Sequence, residues 1–302
     1  SDHPMVPLAF FGDRRFSAAI ASLALVLFAL MGMFFLMTQY LQFSLGFSPL
    51  QAGIRVAPIA FVLLVSAPMS VLLARWHALG TKPVVTTGLL LCALGLGMLS
   101  RTSVHSTYGD LLPAFVVIGI GVGFTLTPST ESVMGSLPAA EAGVGSATND
   151  TALQIGGAVG VGVLGTVLNG HYRLQMRSHL AGLPIPEGIR HVILGSLSGA
   201  QAVAARVPGP SGRALSSAAQ TSFVSGMDQA LLIAAVVVGV AGVVVLGALP
   251  NRGATPAPGA DESRGLTAPR PGDAWKRGRA DRTEEPTPRS TNDCKRQYTS
   301  NS

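Results

Sequence analysis

Four polar side chains stand where chemistry is costly to place. Glu131, Asn149, Asp150 and Gln154 sit at or just inside the facing ends of two long apolar runs between Leu111 and Leu168. A charged group in hydrocarbon costs about 2.5–3.5 kcal/mol on insertion scales, so one that is retained marks a solute path, a proton relay or a paired charge. Two readings stand for Glu131 and Asp150. They are headgroup-level carboxylates capping helix ends, where Asp suits an N-terminus. Alternatively, with Gln154 one turn from Asp150 on the same face, they line the inner mouth of a cavity and exchange hydrogen bonds there. Gln39 and Gln42, near the far end of an earlier apolar run, supply amides for an outer mouth.

Other chemistries lack their residues. The six histidines, His3, His77, His105, His171, His179 and His191, fall in predicted loops, and neither HExxH nor GxSxG occurs. Cys92 and Cys294 suit neither a metal site nor a disulfide framework. No metal, cofactor or catalytic residue is expected, and the chain reads as not an enzyme. Gly119, Gly121 and Gly123 spell GxGxG without the strand, third glycine and acidic residue of a dinucleotide fingerprint. Gly119 and Gly123 lie one helical turn apart, as do Gly156 and Gly160, with Gly157 beside them. That is the small-xxx-small pattern with which membrane helices pack closely.

Composition says what must hold these groups. Of 302 residues 48% are hydrophobic and 12% charged, against about 25% charged in soluble domains. Ten of the 21 Lys and Arg and seven of the 15 Asp and Glu follow Pro250, so the preceding chain is nearly charge-free over long stretches. The basic excess forms no stripe and has no interleaved aromatics, which argues against nucleic acid. Arg exceeds Lys 18 to 3 and Ala and Gly abound, as GC-rich bacterial genomes encode.

An all-α membrane protein follows, with six predicted spans at about 16–40, 54–74, 84–99, 111–134, 148–168 and 229–249. About 20 helical residues cross a 30 Å core, and Pro58 and Pro68 are tolerated in such a helix. Residues 1–15 form a lead ending in Arg14-Arg15, which the positive-inside rule places in the cytoplasm. Six crossings return the chain there. Residues 170–226 are a long outer loop, with a surface helix starting at Glu187 after Pro184 and Pro186. Residues 250–302 are a disordered cytoplasmic tail, too poor in large apolar residues to offset ordering entropy. Its Trp275, Lys276, Arg277 and Arg279 either touch anionic lipid or stay solvated. Arg55, the odd charge in the second span, either snorkels to headgroups or sits at a cavity mouth.

These residues carry a family resemblance. RRFSAA, MTQYLQFSLGFSPLQAG and RVAPIA resemble the start of the C-terminal half of fourteen-helix drug:proton antiporters of the major facilitator superfamily. The stretch PSTESVMGSLPAAEAGVGSATNDTALQIGGAVGVGVLGTVL is similar to the centre of that half, and SFVSGMDQALLIAA to the entry of its last helix. Members often carry Arg where this chain has Leu153. Arg75, Gly80 and Lys82 echo the family's cytoplasmic gating loop. The resemblance implies one six-helix bundle of a proton-coupled multidrug efflux transporter, working by alternating access in the bacterial plasma membrane. Its partners would be the bilayer, an amphiphilic small-molecule substrate, protons and an N-terminal bundle that carries the proton-coupling residues. A non-transporting remnant or assembly partner is the alternative.

Overall fold

The computed structural model describes residues 12–76, 80–137, 141–181 and 183–248, and among them the regular elements are helical. The lead before residue 12 and the tail from 249 onward, with Cys294 and Trp275, lie outside the described residues.

Helix α1 runs Arg14–Gln39. Asp13 caps it by accepting from the Arg15 N–H at 2.8 Å, which satisfies one orphan donor of the first turn. A π turn, Tyr40–Ser44, continues it. Ser48 and Gln51 form a capping box that starts α2, Pro49–Val56. Pro58 lacks the N–H needed to continue α2 and instead opens α3, Pro58–Trp76. Helix α4 spans Thr81–Leu99 after Gly80, whose φ of 74° suits glycine. A Thr107–Asp110 capping box opens α5, Tyr108–Gly135. Then come α6, Ala142–His179, α7, Glu187–Gly195, α8, Leu197–Ala204, and α9, Pro210–Ala248.

Six segments of these helices are long and apolar enough to cross a membrane. Helix α1 is the hub, packing on α5, α6 and α9. Its Leu23, Val26, Met33, Leu36 and Met37 are fully buried. Helices α4 and α9 pair behind it, and α5 lies between α3 and α4. Helix α3 is marginal to the bundle. Only 17% of the α2–α3 span is buried, against 56% of α5, and Phe61, Leu64, Val65 and Leu72 are exposed. In water such a face would be a liability. In a bilayer it is solvated by lipid or covered by another helix.

Residues 170–226, expected as a loop, hold the last turns of α6, then α7, α8 and the first half of α9. Low hydropathy rules out a lipid-facing span but not a helix, and this stretch is rich in alanine, the best helix former. Helices α6 and α9 have 38 and 39 residues, hence about 57 and 58 Å, nearly twice a bilayer core of about 30 Å. Their surplus turns meet α7 and α8 in a small helical cap. Ile193, Leu197, Ala200 and Ala204 are buried there. The Tyr172 hydroxyl donates to the Ile193 carbonyl at 2.9 Å, and Gln201 donates to the Phe43 carbonyl at 2.9 Å.

Candidate functional site

The polar residues of the Arg14 end sit on two helices that barely touch, α5 and α6. Helices α1 and α6 run side by side in one direction, with Gly156 against Ala24 and Gly160 against Phe28. That register places Asp150 level with Ala18 and Gln154 level with Ser22, about 6 and 12 Å deeper than Arg14 at 1.5 Å per residue. Helix α6 starts at Ala142, with Glu141 in the cap position. Asp150 is therefore in mid-helix and caps nothing, so that expectation fails: the glycine-rich stretch before it is helical because it packs, not because of propensity. Glu131 lies just over a turn from the end of α5.

Asn149 is the buried member of the group. The Thr130 hydroxyl donates to Asn149 Oδ1 at 3.3 Å, joining α5 to α6, and Asn149 Nδ2 reaches Asp150 Oδ1 at 3.4 Å. Glu131, Asp150 and Gln154 are exposed on the bundle surface. Past Gln154 the same stripe of α6 continues as Ala158, Gly162 and Thr166, all exposed. An exposed carboxylate is not stable against lipid tails, so Asp150 must meet headgroups, water or polar partners.

Glycines set how closely the helices run. A Cβ at Gly156 or Gly160 would strike the carbonyl oxygen of Ala24 or Phe28. The glycine hydrogen in that place aims at the carbonyl, a weak Cα–H···O contact. A Cβ added at Gly157 would come within 3.0 Å of Met31 Cγ. Gly119 and Gly123 bring α5 against α3 at Val62 and Ser66, and the Ser66 hydroxyl donates to the Gly119 carbonyl at 3.2 Å. Beside this seam lies a largely apolar groove of about 480 Å³, walled by Phe61, Val62, Val65, Ser66, Met69, Ile120 and Phe124.

Gln39 and Gln42 are half-buried at the Tyr40 end, on the last turn of α1 and in the π turn. They lie far from Gln154, at the opposite end of the bundle. Arg55 is held in place: its guanidinium lies 3.7 Å from the Phe47 ring centroid and donates to the Gln51 carbonyl at 3.3 Å. Of the gating-loop residues, Arg75 is the penultimate residue of α3 with its side chain outside the description, Gly80 caps α4, and Lys82 is half-buried in its first turn. Residues 77–79, with His77, are also outside the description.

With this geometry in place, comparison with known sequences is decisive. The profile of the Major Facilitator Superfamily matches residues 2–161, more than half of the chain. The chain belongs to the Major Facilitator Superfamily. That makes it a multi-pass membrane protein of a transporter family rather than an enzyme. It is 33% identical over 246 residues to the multidrug efflux pump LfrA of Mycolicibacterium smegmatis, covering 80% of this chain and 47% of the relative. It is 31% identical over 248 residues to the tetracenomycin C resistance and export protein of Streptomyces glaucescens, covering 80% and 46%. It is 28% identical over 236 residues to the methyl viologen resistance protein SmvA of Salmonella typhimurium, covering 76% and 46%. The chain spans about half the length of these curated relatives.

This superfamily bundle holds a further polar group that the sequence reading missed. His171, placed there in a loop, is on α6. Its Nε2 lies 2.9 Å from Gln175 Nε2 and 3.2 Å from Ser225 Oγ, and Gln175 Nε2 donates to Ser225 Oγ at 2.9 Å. His179 and His191 are helical too, on α6 and α7. Asp228, one turn beyond Ser225 on α9, is half-buried, and its Oδ1 is sealed from solvent with no hydrogen-bond partner. The span predicted at 229–249 begins one residue later and leaves Asp228 out. Among the described residues no group of His, Cys, Asp and Glu could hold a metal ion.

Proposed function

We propose that this chain is the C-terminal bundle of a proton-coupled multidrug efflux transporter that works by alternating access. The observation that carries this reading is the exposed polar and small-residue stripe of α6, Asp150 to Thr166, on an otherwise lipid-compatible bundle. Such a stripe fits one wall of a midplane path between two bundles, where secondary transporters bind their solutes. The names of the relatives, which speak of efflux, export and resistance, support the same reading. In it Asp150, Gln154 and Glu131 line the inner mouth, with Asn149 holding α5 and α6 in register. Gln39 and Gln42 line the outer mouth, and the glycine seams let α6 move against α1. Arg75, Gly80 and Lys82 form the inner gating turn. The α3–α5 groove, aromatic and methionine-lined, suits amphiphilic solutes of varied shape. Both termini face the cytoplasm, the helical cap lies outside, and a second bundle completes the path.

The test joins this chain to the N-terminal half of LfrA in a bacterial host without its own pump and follows efflux of a fluorescent cationic dye. Gln154→Leu and Asp150→Asn should each slow efflux at least tenfold at equal membrane abundance, while Gly97→Ala on α4, where a Cβ meets nothing within 4 Å, should leave it within twofold. Unchanged efflux in both polar variants would remove the stripe from the path.

A further inference from the structure

At the Arg14 end a groove of about 420 Å³ opens between α1 and α9. Its α1 wall is Arg14, Ser17, Ala18, Ala21, Ser22 and Leu25, and its α9 wall is Ala241, Val244 and Val245. Small side chains on α1 leave the space. The Ser22 hydroxyl donates back to the Ala18 carbonyl at 2.7 Å, so it presents no donor to the groove. The neighbouring residues Val236, Val240 and Val243 on α9 are more than half exposed, so the groove opens on the bilayer side of the bundle.

Three features fix what fits. From Arg14 to Leu25 the helix rises about 17 Å, close to one leaflet's share, about 15 Å, of the hydrocarbon core. The groove is thus as long as one acyl chain is deep. Arg14 stands at its mouth, exposed, and no hydrogen bond or ion pair of its side chain occurs among the described residues. Arg15 follows it, and Asp13 before it accepts from the Arg15 N–H as the helix cap. The charge complement of the Arg14 guanidinium above an apolar slot is a phosphate on a lipid tail.

We infer that the α1–α9 groove is a binding site for one anionic phospholipid, its acyl chain lying along Ala18–Leu25 and its phosphate on Arg14. The site stands apart from the solute path, which the polar stripe of α6 would form. It holds whichever substrate the assembled transporter moves. Basic pockets between membrane helices bind such headgroups, and one basic residue near an anionic surface corresponds to roughly a fivefold preference.

The intact chain, purified in detergent and supplied with equal amounts of phosphatidylglycerol and phosphatidylcholine of identical acyl chains, is read by native mass spectrometry. The wild type should retain one phosphatidylglycerol at about fivefold preference. Arg14→Gln should keep a bound lipid but lose the preference. Ala21→Phe, which fills the slot from an exposed position, should lose the lipid altogether. Glycerol phosphate, the headgroup without a tail, should not displace it. Equal retention of the two lipids by the wild type, a lipid still held in Ala21→Phe, or displacement by glycerol phosphate would each overturn the assignment. A lipid-free wild type would overturn it too, and would point to the chain's own terminal segments as the occupant.

Discussion

Replacing Gly160 by alanine tests whether the α1–α6 seam is as close as described. In an exposed helix the change stabilises by about 1 kcal/mol through helix propensity. Here the added methyl meets the Phe28 carbonyl oxygen, which is backbone and cannot swing aside as a side chain could. The helices must part, at an overpacking cost of about 1–3 kcal/mol. The Cα–H···O contact is lost as well, about 0.5–1 kcal/mol. Net destabilisation is therefore about 0.5–3 kcal/mol. Propensity in lipid is harder to assign than in water, so the comparison that matters is Gly162→Ala, half a turn away on the same helix. A Cβ at Gly162 meets nothing within 4 Å, and the propensity term is shared. The difference between the two variants is the sum of clash and lost contact, about 1.5–4 kcal/mol. Gly156→Ala should resemble Gly160→Ala. The double variant should fall short of additivity, because the first methyl already pushes α1 away. Unfolding of the purified chain in mixed micelles, titrated with a denaturing detergent, measures all four. If Gly160→Ala and Gly162→Ala agree within about 0.5 kcal/mol, the close approach of the backbones is wrong.

Tyr172→Phe removes the hydroxyl that donates to Ile193, at a cost of about 1 kcal/mol. Trypsin cleavage after Arg190 and Arg206 should then quicken about fivefold, if cleavage follows the opening equilibrium. Tyr108→Phe, whose hydroxyl instead bonds the Arg55 carbonyl, should leave those two cuts unchanged. Asp228→Ala deletes a carboxylate oxygen that is buried without a partner. Such groups cost about 1–3 kcal/mol, so the variant should unfold at equal or higher denaturant than the wild type. A marked loss of stability would mean that Asp228 has a structural partner.

The all-helical, six-span character was readable because hydropathy reports what crosses lipid, whereas the second predicted span, 54–74, is divided between α2 and α3. The glycine seams were readable as well: Gly119, Gly123, Gly156 and Gly160 all lie where helices meet. What hydropathy cannot report is a helix that leaves the bilayer, so the far halves of α6 and α9 were taken for loop. The same limit hid His171 and Asp228, whose chemistry depends on α6 and α9 running side by side beyond the apolar stretches. Local signals misled at Asp150, where a favoured capping residue lies two turns inside a helix whose glycine-rich start is held by packing. Gln39 and Gln154 were legible as amides of opposite ends from their places in the apolar runs, and the α1–α6 register has them so.

Two unbroken helices, α6 and α9, carry the chain from the bundle into the cap without an intervening hinge. Any tilt of the bundle must then swing the cap through the same angle, as a mast follows its hull. Dye pairs placed between this projection and a fixed support would read that angle from outside the bundle.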